Sequence, residues 1–348
     1  MSTLLDAPPY ATRDDAVLLA ELEVLTAHHR TGCGPYARLT RGWRAGGTLA
    51  ELPFVHVGLL KDVLLRTEHP ELRHQRLLAS SATTSGISSK VALDERSSAL
   101  QSRSTAAILA AWLGEARRPL VVLDDARSLR GRGDLGARLA AALSLRPLAT
   151  DTVFVLPDPA DPASLRWDAV LAACERGEEL LVYGFTWVLW LAWARGSMPA
   201  EVRERLRGTR LRFVHSGGWK KLEALRVDRA TFDGALLANA AAGSSVLDYY
   251  GLVEQVGVIF PLCEAGARHV PRWADVLVRD PWTLASLPEG EGQLQFVNPL
   301  AWGAPYHSVL TEDVGRLLPG ACPCGRDGRR FTLAGRIPKA EVRGCANV

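Results

Sequence analysis

The chain has 348 residues, of which 47% are apolar and 23% charged, and carries a formal charge of +3 at pH 7. That length can bury a large core, as one big domain or two ordinary ones. A charge so small and so evenly spread makes no case for nucleic acid or a membrane surface as partner. The N-terminus lacks a basic stretch followed by an apolar run, so no secretory signal is visible. The most hydrophobic window, Leu180 to Ala194, is interrupted by Gly184, stops at Arg195 and is short for a membrane span. The six cysteines are scattered apart from Cys322 and Cys324, and reduced thiols in the cytoplasm are expected. Only five of the 41 basic residues are lysine, namely Lys61, Lys90, Lys220, Lys221 and Lys339. Against an Arg-rich background such lysines can mark sites that need a compact ammonium.

Val17, Leu18, Leu22 and Leu25 predict a helix over 14–29, ended by Gly32, Gly34 and Pro35. A short apolar segment at 53–57 and a helix over 59–65 follow, and 78–90 reads as a polar loop. A long Ala/Leu helix spans 97–114. Strands are expected at 119–124, 152–156 and 179–183, separated by helices near 135–143 and 165–176. Helices at 187–195 and 198–208 then lead into an apolar strand beginning at Leu211. Strands alternating with helices imply a largely parallel sheet covered on both faces. Beyond about residue 255, short strand candidates (257–260, 275–278, 293–297) and many Gly and Pro residues point to a β-rich end.

The strand from Leu211 runs into His215-Ser216-Gly217-Gly218-Trp219-Lys220-Lys221. A glycine pair at a strand end lets backbone approach a flat ligand, because no Cβ stands in the way. In a doubly wound sheet that is where ligands bind. The stretch Ser80-Ser81-Ala82-Thr83-Thr84-Ser85, closing at Lys90, offers hydroxyls, backbone N–H groups and an ammonium suited to phosphate, although GxxxxGK[ST] is absent. Glu254 in Tyr250-Gly251-Leu252-Val253-Glu254 could hold a hard cation, and Thr311-Glu312-Asp313 presents a carboxylate. Cys322-Pro-Cys324 supplies two zinc ligands, and Cys263 and His269 would complete a site only if folding brings them together. His56, His69 and His74 are expected to carry no chemistry, and Trp187, Trp190 and Trp193 to be mostly core, with some of them flooring a ligand pocket near the sheet edge.

In this order these segments resemble the adenylate-forming superfamily of acyl- and aryl-activating enzymes. The YGLVEQ and HSGGWKK segments and a terminal AEVRGC resemble, more closely, the LuxE-type acyl-protein synthetases, over roughly residues 50–348. The resemblance implies an α/β fold, the large N-terminal domain of adenylate-forming enzymes, with stacked β-sheets flanked by helices and a β-rich C-terminal part. It further implies that most or all of the C-terminal lid domain, with its lysine, is missing. Residues 1–50 would be a helical segment packed on the core, 51–335 the core, and 336–348 a hinge remnant and tail.

The implied chemistry is activation of a carboxylic acid, a fatty acid in the LuxE-type family, as acyl-AMP by ATP and Mg²⁺, then transfer to a protein thiol. The implied ATP-binding residues are Ser80, Ser81, Thr83, Thr84, Ser85, Lys90, Ser216, Gly217, Gly218, Tyr250, Gly251, Asp313 and Arg336, with Glu254 on Mg²⁺. Cys345 matches the acyl-accepting cysteine, and an acyl reductase or a carrier protein would be the partner. Lys220, Lys221 and His215 are the candidates to replace the lid lysine. Ala82, where the phosphate loop usually has Gly, bears on phosphate approach. Two alternatives remain: a ligase loading coenzyme A or a carrier protein with an aryl or short acid, and a nucleotide-binding partner subunit without activity.

Overall fold

The computed structural model describes residues 3–43, 46–79, 89–126 and 135–337. Its strands are β1 (Val55–His56), β2 (His74–Ala79), β3 (Lys90–Asp94), β4 (Arg118–Val122), β5 (Leu135–Gly136), β6 (Ala149–Phe154), β7 (Glu179–Phe185) and β8 (Arg210–Ser216). There follow β9 (Ser245–Gly251), β10 (Ile259–Pro261), β11 (Arg268–His269), β12 (Asp275–Arg279), β13 (Ser286–Leu287), β14 (Gly292–Val297), β15 (Ser308–Leu317) and β16 (Arg330–Arg336). They form three sheets.

The central sheet runs β10-β9-β8-β7-β4-β6, parallel from β6 to β9, with β10 antiparallel at the edge. The middles of β4, β7 and β8 are apolar because both faces of the sheet are covered there. β4 is buried throughout, and Leu180, Leu181, Val182, Phe213 and Val214 are fully enclosed. The C-terminal sheet runs β11-β16-β15-β14-β12-β13 with antiparallel neighbours, and β1 joins β15 in parallel. A small sheet pairs β3, β2 and β5.

The first long helix spans Asp15–Gly32, capped by the Asp14 carboxylate on the Ala16 N–H. It buries Leu18, Leu22 and Leu25 at helical spacing, and Leu18 and Leu22 join the core of the C-terminal sheet. Gly34 and Pro35 do not end the helical region. They open a second helix, Gly34–Leu39, where Pro in the first turn costs no hydrogen bond. The helix expected over 59–65 shortens to Leu59–Asp62. The expected loop 78–90 is corrected at both ends: Leu78 and Ala79 finish β2, and Lys90 opens β3, which pairs with β2 antiparallel. After β7 the chain passes through Thr186–Val188 into π-helical turns over Leu189–Ala194, where Arg195 N–H reaches back to the Trp190 carbonyl. Trp190 and Trp193 are buried and Trp187 packs against the same core. Among the described residues no helix is long and apolar enough to cross a membrane.

Two buried histidines lock the first helix to the C-terminal sheet. His29 stacks on His307 at 5.0 Å between ring centroids. His29 Nε2–H donates to the Ala301 carbonyl (2.9 Å), which leaves Nδ1 to accept from Thr67 (2.7 Å). Thr26 spends its proton on the Leu22 carbonyl, so His307 Nε2–H donates to Thr26 Oγ1 (3.0 Å). These roles are those of neutral rings, the form that burial favours. Burial pushes His307 down from 6.5 to about 3 and holds His29 well below the usual histidine range, with each neighbouring ring adding to the effect.

The unfolded chain takes up these protons near pH 6.5, whereas native His307 does so only near pH 3. Stability therefore falls as pH drops through that window, by ~2 kcal/mol at about pH 5 from His307 alone. Urea titrations across this range should show the loss, and His307→Gln should flatten the pH slope by about one proton. An unchanged slope would remove His307 as its source.

Candidate active site

β7, β8 and β9 end together, and a cavity of about 530 Å³ opens beyond their C-terminal ends, lined there by Phe185, Ser216, Gly217, Tyr249 and Gly251. Gly217 has φ +76°, a conformation that a side chain would strain. Nothing among the described residues lies within 4 Å of where a Cβ on Gly218 would stand. The turn is held from behind. Thr186 Oγ1 donates to the Gly217 carbonyl (2.6 Å), which leaves its lone pair for His215 Nδ1–H (2.9 Å). His215 is buried, and burial lowers its pKa, so it is a neutral support for the turn; it does not line the cavity. Trp219 packs inward on Trp190 (5.7 Å) and Phe232 (6.0 Å). The side chains of Lys220 and Lys221 lie outside the described residues.

From β9 the chain turns through Leu252 to Val258, and Glu254 faces the cavity from that turn. Burial pushes the Glu254 carboxyl up, while the Ser89 hydroxyl and the Lys61 ammonium pull the other way. The next side chain fixes the turn: Gln255 Nε2 donates to the Tyr306 carbonyl (2.9 Å), and its Oε1 accepts from Asn298 Nδ2 (2.6 Å). Gly257 (φ +85°) lies against the helix Glu95–Leu113, where a Cβ would come within 2.5 Å of the Gln101 backbone. Its carbonyl accepts from Ser104 Oγ (2.6 Å). Tyr250 is not among the lining residues. Its ring packs near Phe260, Phe296 and Phe331, and its hydroxyl donates to Asp313 Oδ2 (2.5 Å).

Asp313 reaches the cavity because β15 bulges. Gln293 opposes Val314 and Gln295 opposes Leu310, so 311–313 face Leu294 alone. The bulge satisfies its own backbone. Thr311 Oγ1 donates to the Leu294 carbonyl (2.8 Å) and accepts from Asp313 N–H (3.1 Å), and Gln293 Nε2 donates to the Thr311 carbonyl. Arg336, at the end of β16, donates to Asp313 Oδ1 (2.8 Å). Glu312 pairs with Lys61 (3.7 Å).

Lys61 and Arg336 are the cationic side chains lining the cavity among the described residues. Lys61 is not among the site residues expected from sequence; its sequence signals are the scarcity of lysine and the resemblance of the Phe54–Lys61 segment to the LuxE-type proteins. Apolar lining comes from Leu78, Leu93, Leu143, Pro147, Val258 and Ile259, not from the tryptophans of 187–193. Lys90 is exposed and does not line the cavity. Ser80, Ser81, Thr83, Thr84, Ser85 and Cys345 lie outside the described residues.

Away from this cavity, Cys263, His269, Cys322 and Cys324 do come together, their ligand atoms all within 4.8 Å of one another.

A match to the family described as acyl-protein synthetase, LuxE, spans residues 42–348. A long-chain-fatty-acid–luciferin-component ligase of Aliivibrio fischeri is 27% identical over 142 residues, 40% of this chain and 37% of that protein. Only that minor part of the relative's length is spanned. An open conformation of 2-hydroxyisobutyryl-CoA ligase, solved with 2-HIB-AMP and CoA, aligns with TM-score 0.65 at 14% identity, over 95% of this chain and 76% of that one. The postadenylation state of that ligase with 2-HIB-AMP gives 0.63 at 15% identity, over 93% and 68%. These likenesses show the fold: the large N-terminal domain of adenylate-forming enzymes.

Thr311→Val should leave the Asp313 N–H without its acceptor and destabilise the chain by about 1–3 kcal/mol, whereas Thr311→Ser should cost far less. Denaturant unfolding of the two variants checks this, and equal losses would refute the hydroxyl's role.

Proposed function

The chain belongs to the LuxE family of acyl-protein synthetases, and from that premise we propose that it activates a carboxylic acid with ATP and passes the acyl group to a protein thiol. One observation carries the reading. Ser216, Gly217, Glu254, Asp313 and Arg336, drawn from distant parts of the sequence, converge on one cavity at the C-terminal edge of the parallel sheet.

In this reading the open backbone at Ser216–Gly217–Gly218 lies against adenine, and Asp313 takes the ribose hydroxyls in exchange for one of its present partners. Glu254, with Tyr250 and Gly251 in its motif, would hold Mg²⁺. The fit is electrostatic, since a buried carboxyl with a raised pKa regains its anionic form beside a divalent cation. Mg²⁺, when bound, supplies charge neutralisation on the phosphates. The acid's carboxylate oxygen attacks the α-phosphorus, the bond to the bridging oxygen breaks, and pyrophosphate leaves. Lys61 and Arg336 line the cavity where that charge develops. The Ser80–Ser85 stretch, Lys90, Lys220 and Lys221 remain candidates on their sequence alone. A thiol then attacks the acyl carbon, its proton passes to solvent, and AMP departs as the C–O bond breaks. Carboxylate oxygen is a poor leaving group until phosphoryl transfer makes it part of AMP.

The apolar lining, and the name of the Aliivibrio fischeri relative, support a fatty acid as substrate. Cys345, matched by the family's terminal segment, is the proposed acceptor, supplying an acyl reductase or a carrier protein.

Pyrophosphate release measured with a panel of fatty and aryl acids should select fatty acids, and intact mass should show a thioester adduct that Cys345→Ser abolishes while acyl-AMP still forms. Product formation that survives Cys345→Ser and needs coenzyme A or a phosphopantetheine carrier would favour direct loading. MgATP binding by calorimetry without turnover, for any acid and with partner present, would leave a nucleotide-binding subunit.

Glu254→Gln should slow pyrophosphate release by roughly 10²–10³-fold. Because burial raises the Glu254 pKa in the chain without metal, the acid limb of the wild-type kcat/KM profile for MgATP, which reports the free enzyme, should sit above the ordinary carboxylate range. Persistence of that limb in Glu254→Gln would assign it elsewhere.

A further inference from the structure

We propose that Cys263, His269, Cys322 and Cys324 bind one zinc ion as a closed Cys₃His site that pins the β15–β16 connection to the β10–β11 turn. The Cys263 and Cys322 sulfurs are 3.8 Å apart, and Cys324 Sγ is 3.2 Å from His269 Nε2. Tetrahedral zinc sets sulfur–sulfur separations of ~3.8 Å and sulfur–nitrogen separations of ~3.5 Å. The widest separation, within 4.8 Å, then closes by about an ångström. A disulfide would instead need sulfurs ~2.05 Å apart.

The three cysteines sit on two tight turns, and His269 on β11. Cys263 N–H bonds the Ala267 carbonyl (2.9 Å) and Gly266 N–H the Cys263 carbonyl (3.0 Å), with Gly266 at φ +76°. Gly325 N–H bonds the Cys322 carbonyl (3.0 Å), with Gly325 at φ +78°. Backbone N–H groups also face two of the sulfurs, that of Cys324 towards Cys322 and that of Arg326 towards Cys324. Such donors stabilise thiolate, the ligating form.

Charge and enclosure fit the same ion. Three thiolates and Zn²⁺ leave one net negative charge once the thiol protons have gone to solvent. The Arg326 and Arg330 guanidiniums both act on this cluster, and Arg326 lies 3.6 Å over the Trp112 ring that packs against it. Cys263 and His269 are fully buried and the cluster does not line the cavity, so four protein ligands close the site in the manner of a structural zinc. Soft sulfur ligands in tetrahedral array select zinc over magnesium or calcium.

The test is metal content of the full-length protein, purified without metal-affinity steps, followed by exchange with cobalt(II). One zinc per chain is expected, and the cobalt form should show tetrahedral d–d bands with thiolate-to-cobalt charge transfer. Cys263→Ser and Cys324→Ser should lose the metal, and Cys174→Ser should keep it. His269→Cys should also keep it while strengthening the charge-transfer band, a gain that misfolding cannot mimic. Chelation should shift the melting temperature downward. The proposal fails if protein with all thiols reduced takes up neither zinc nor cobalt, or if iron occupies the site. It also fails if mass analysis finds a Cys263–Cys322 disulfide, or if the Cys322→Ser/Cys324→Ser double variant retains the metal. None of these readouts depends on acid activation.

Discussion

The Gln255 side-chain amide is the joint on which the site depends. It is fully buried, donates to the Tyr306 carbonyl and accepts from Asn298, both in the connection between β14 and β15. Gln101, from the helix Glu95–Leu113, reaches the Tyr306 hydroxyl (2.8 Å) and so ties a third element to the same point. A buried amide that lost either partner would leave carbonyl or N–H groups unsatisfied at a cost of about 1–3 kcal/mol each. The turn that presents Glu254 is therefore fixed to both the central and the C-terminal sheet. Neither sheet alone brings Glu254 and Asp313 to one cavity.

A similar arrangement holds the end of β8. His215, Thr186 and the Gly217 carbonyl form a chain of hydrogen bonds, with the Ser216 carbonyl a longer second acceptor for Thr186 (3.2 Å). Because Thr186 follows the last residue of β7, two neighbouring parallel strands fix one glycine turn. The expectation that His215 stands in for a lid lysine meets a physical obstacle here: a buried neutral ring behind the turn offers no charge to the cavity. Lys61 does, and it is held from β1's side of the molecule by Glu312, next to Asp313.

Much of the parallel half was legible in the sequence, because strands such as 179–185 and 210–216 carry a buried apolar stretch, Leu180–Tyr183 and Phe213–Val214, that runs towards a glycine. The strands that carry the rest of the site were not. β9, β15 and β16 contain Asp248, Thr311, Glu312, Asp313 and Arg336, whose polarity hides a strand pattern, and the bulge at 311–313 breaks the two-residue alternation outright. Motif order placed Asp313 and Glu254 near one another without supplying a reason. The reason lies in Gln255, Asn298 and Gly257, which look unremarkable in sequence because their work is contact between segments far apart. The cysteine cluster was half visible. Cys322-Pro-Cys324 announces itself, whereas its meeting with Cys263 and His269 depends on β11 pairing with β16, a two-residue strand with little signal of its own.

Asp313 and Glu254, two of the carboxylates lining the cavity, differ in what surrounds them, and that difference divides their proposed work. Asp313 already receives Tyr250 and Arg336, one on each oxygen. A group so furnished can trade one donor for another, as ribose hydroxyls would require, without a large change in its own charge state. Glu254 is buried, and the Ser89 hydroxyl and Lys61 offset its desolvation only in part, so its ionised form is the one lacking compensation. Exchanging neutral donors would do little for it, whereas a divalent cation would do a great deal. The same cavity thus holds one carboxylate already hydrogen-bonded on both oxygens and one that is buried with little to offset its charge, which is the asymmetry the proposed roles draw on. A third carboxylate of the lining, Glu312, is paired with Lys61 instead.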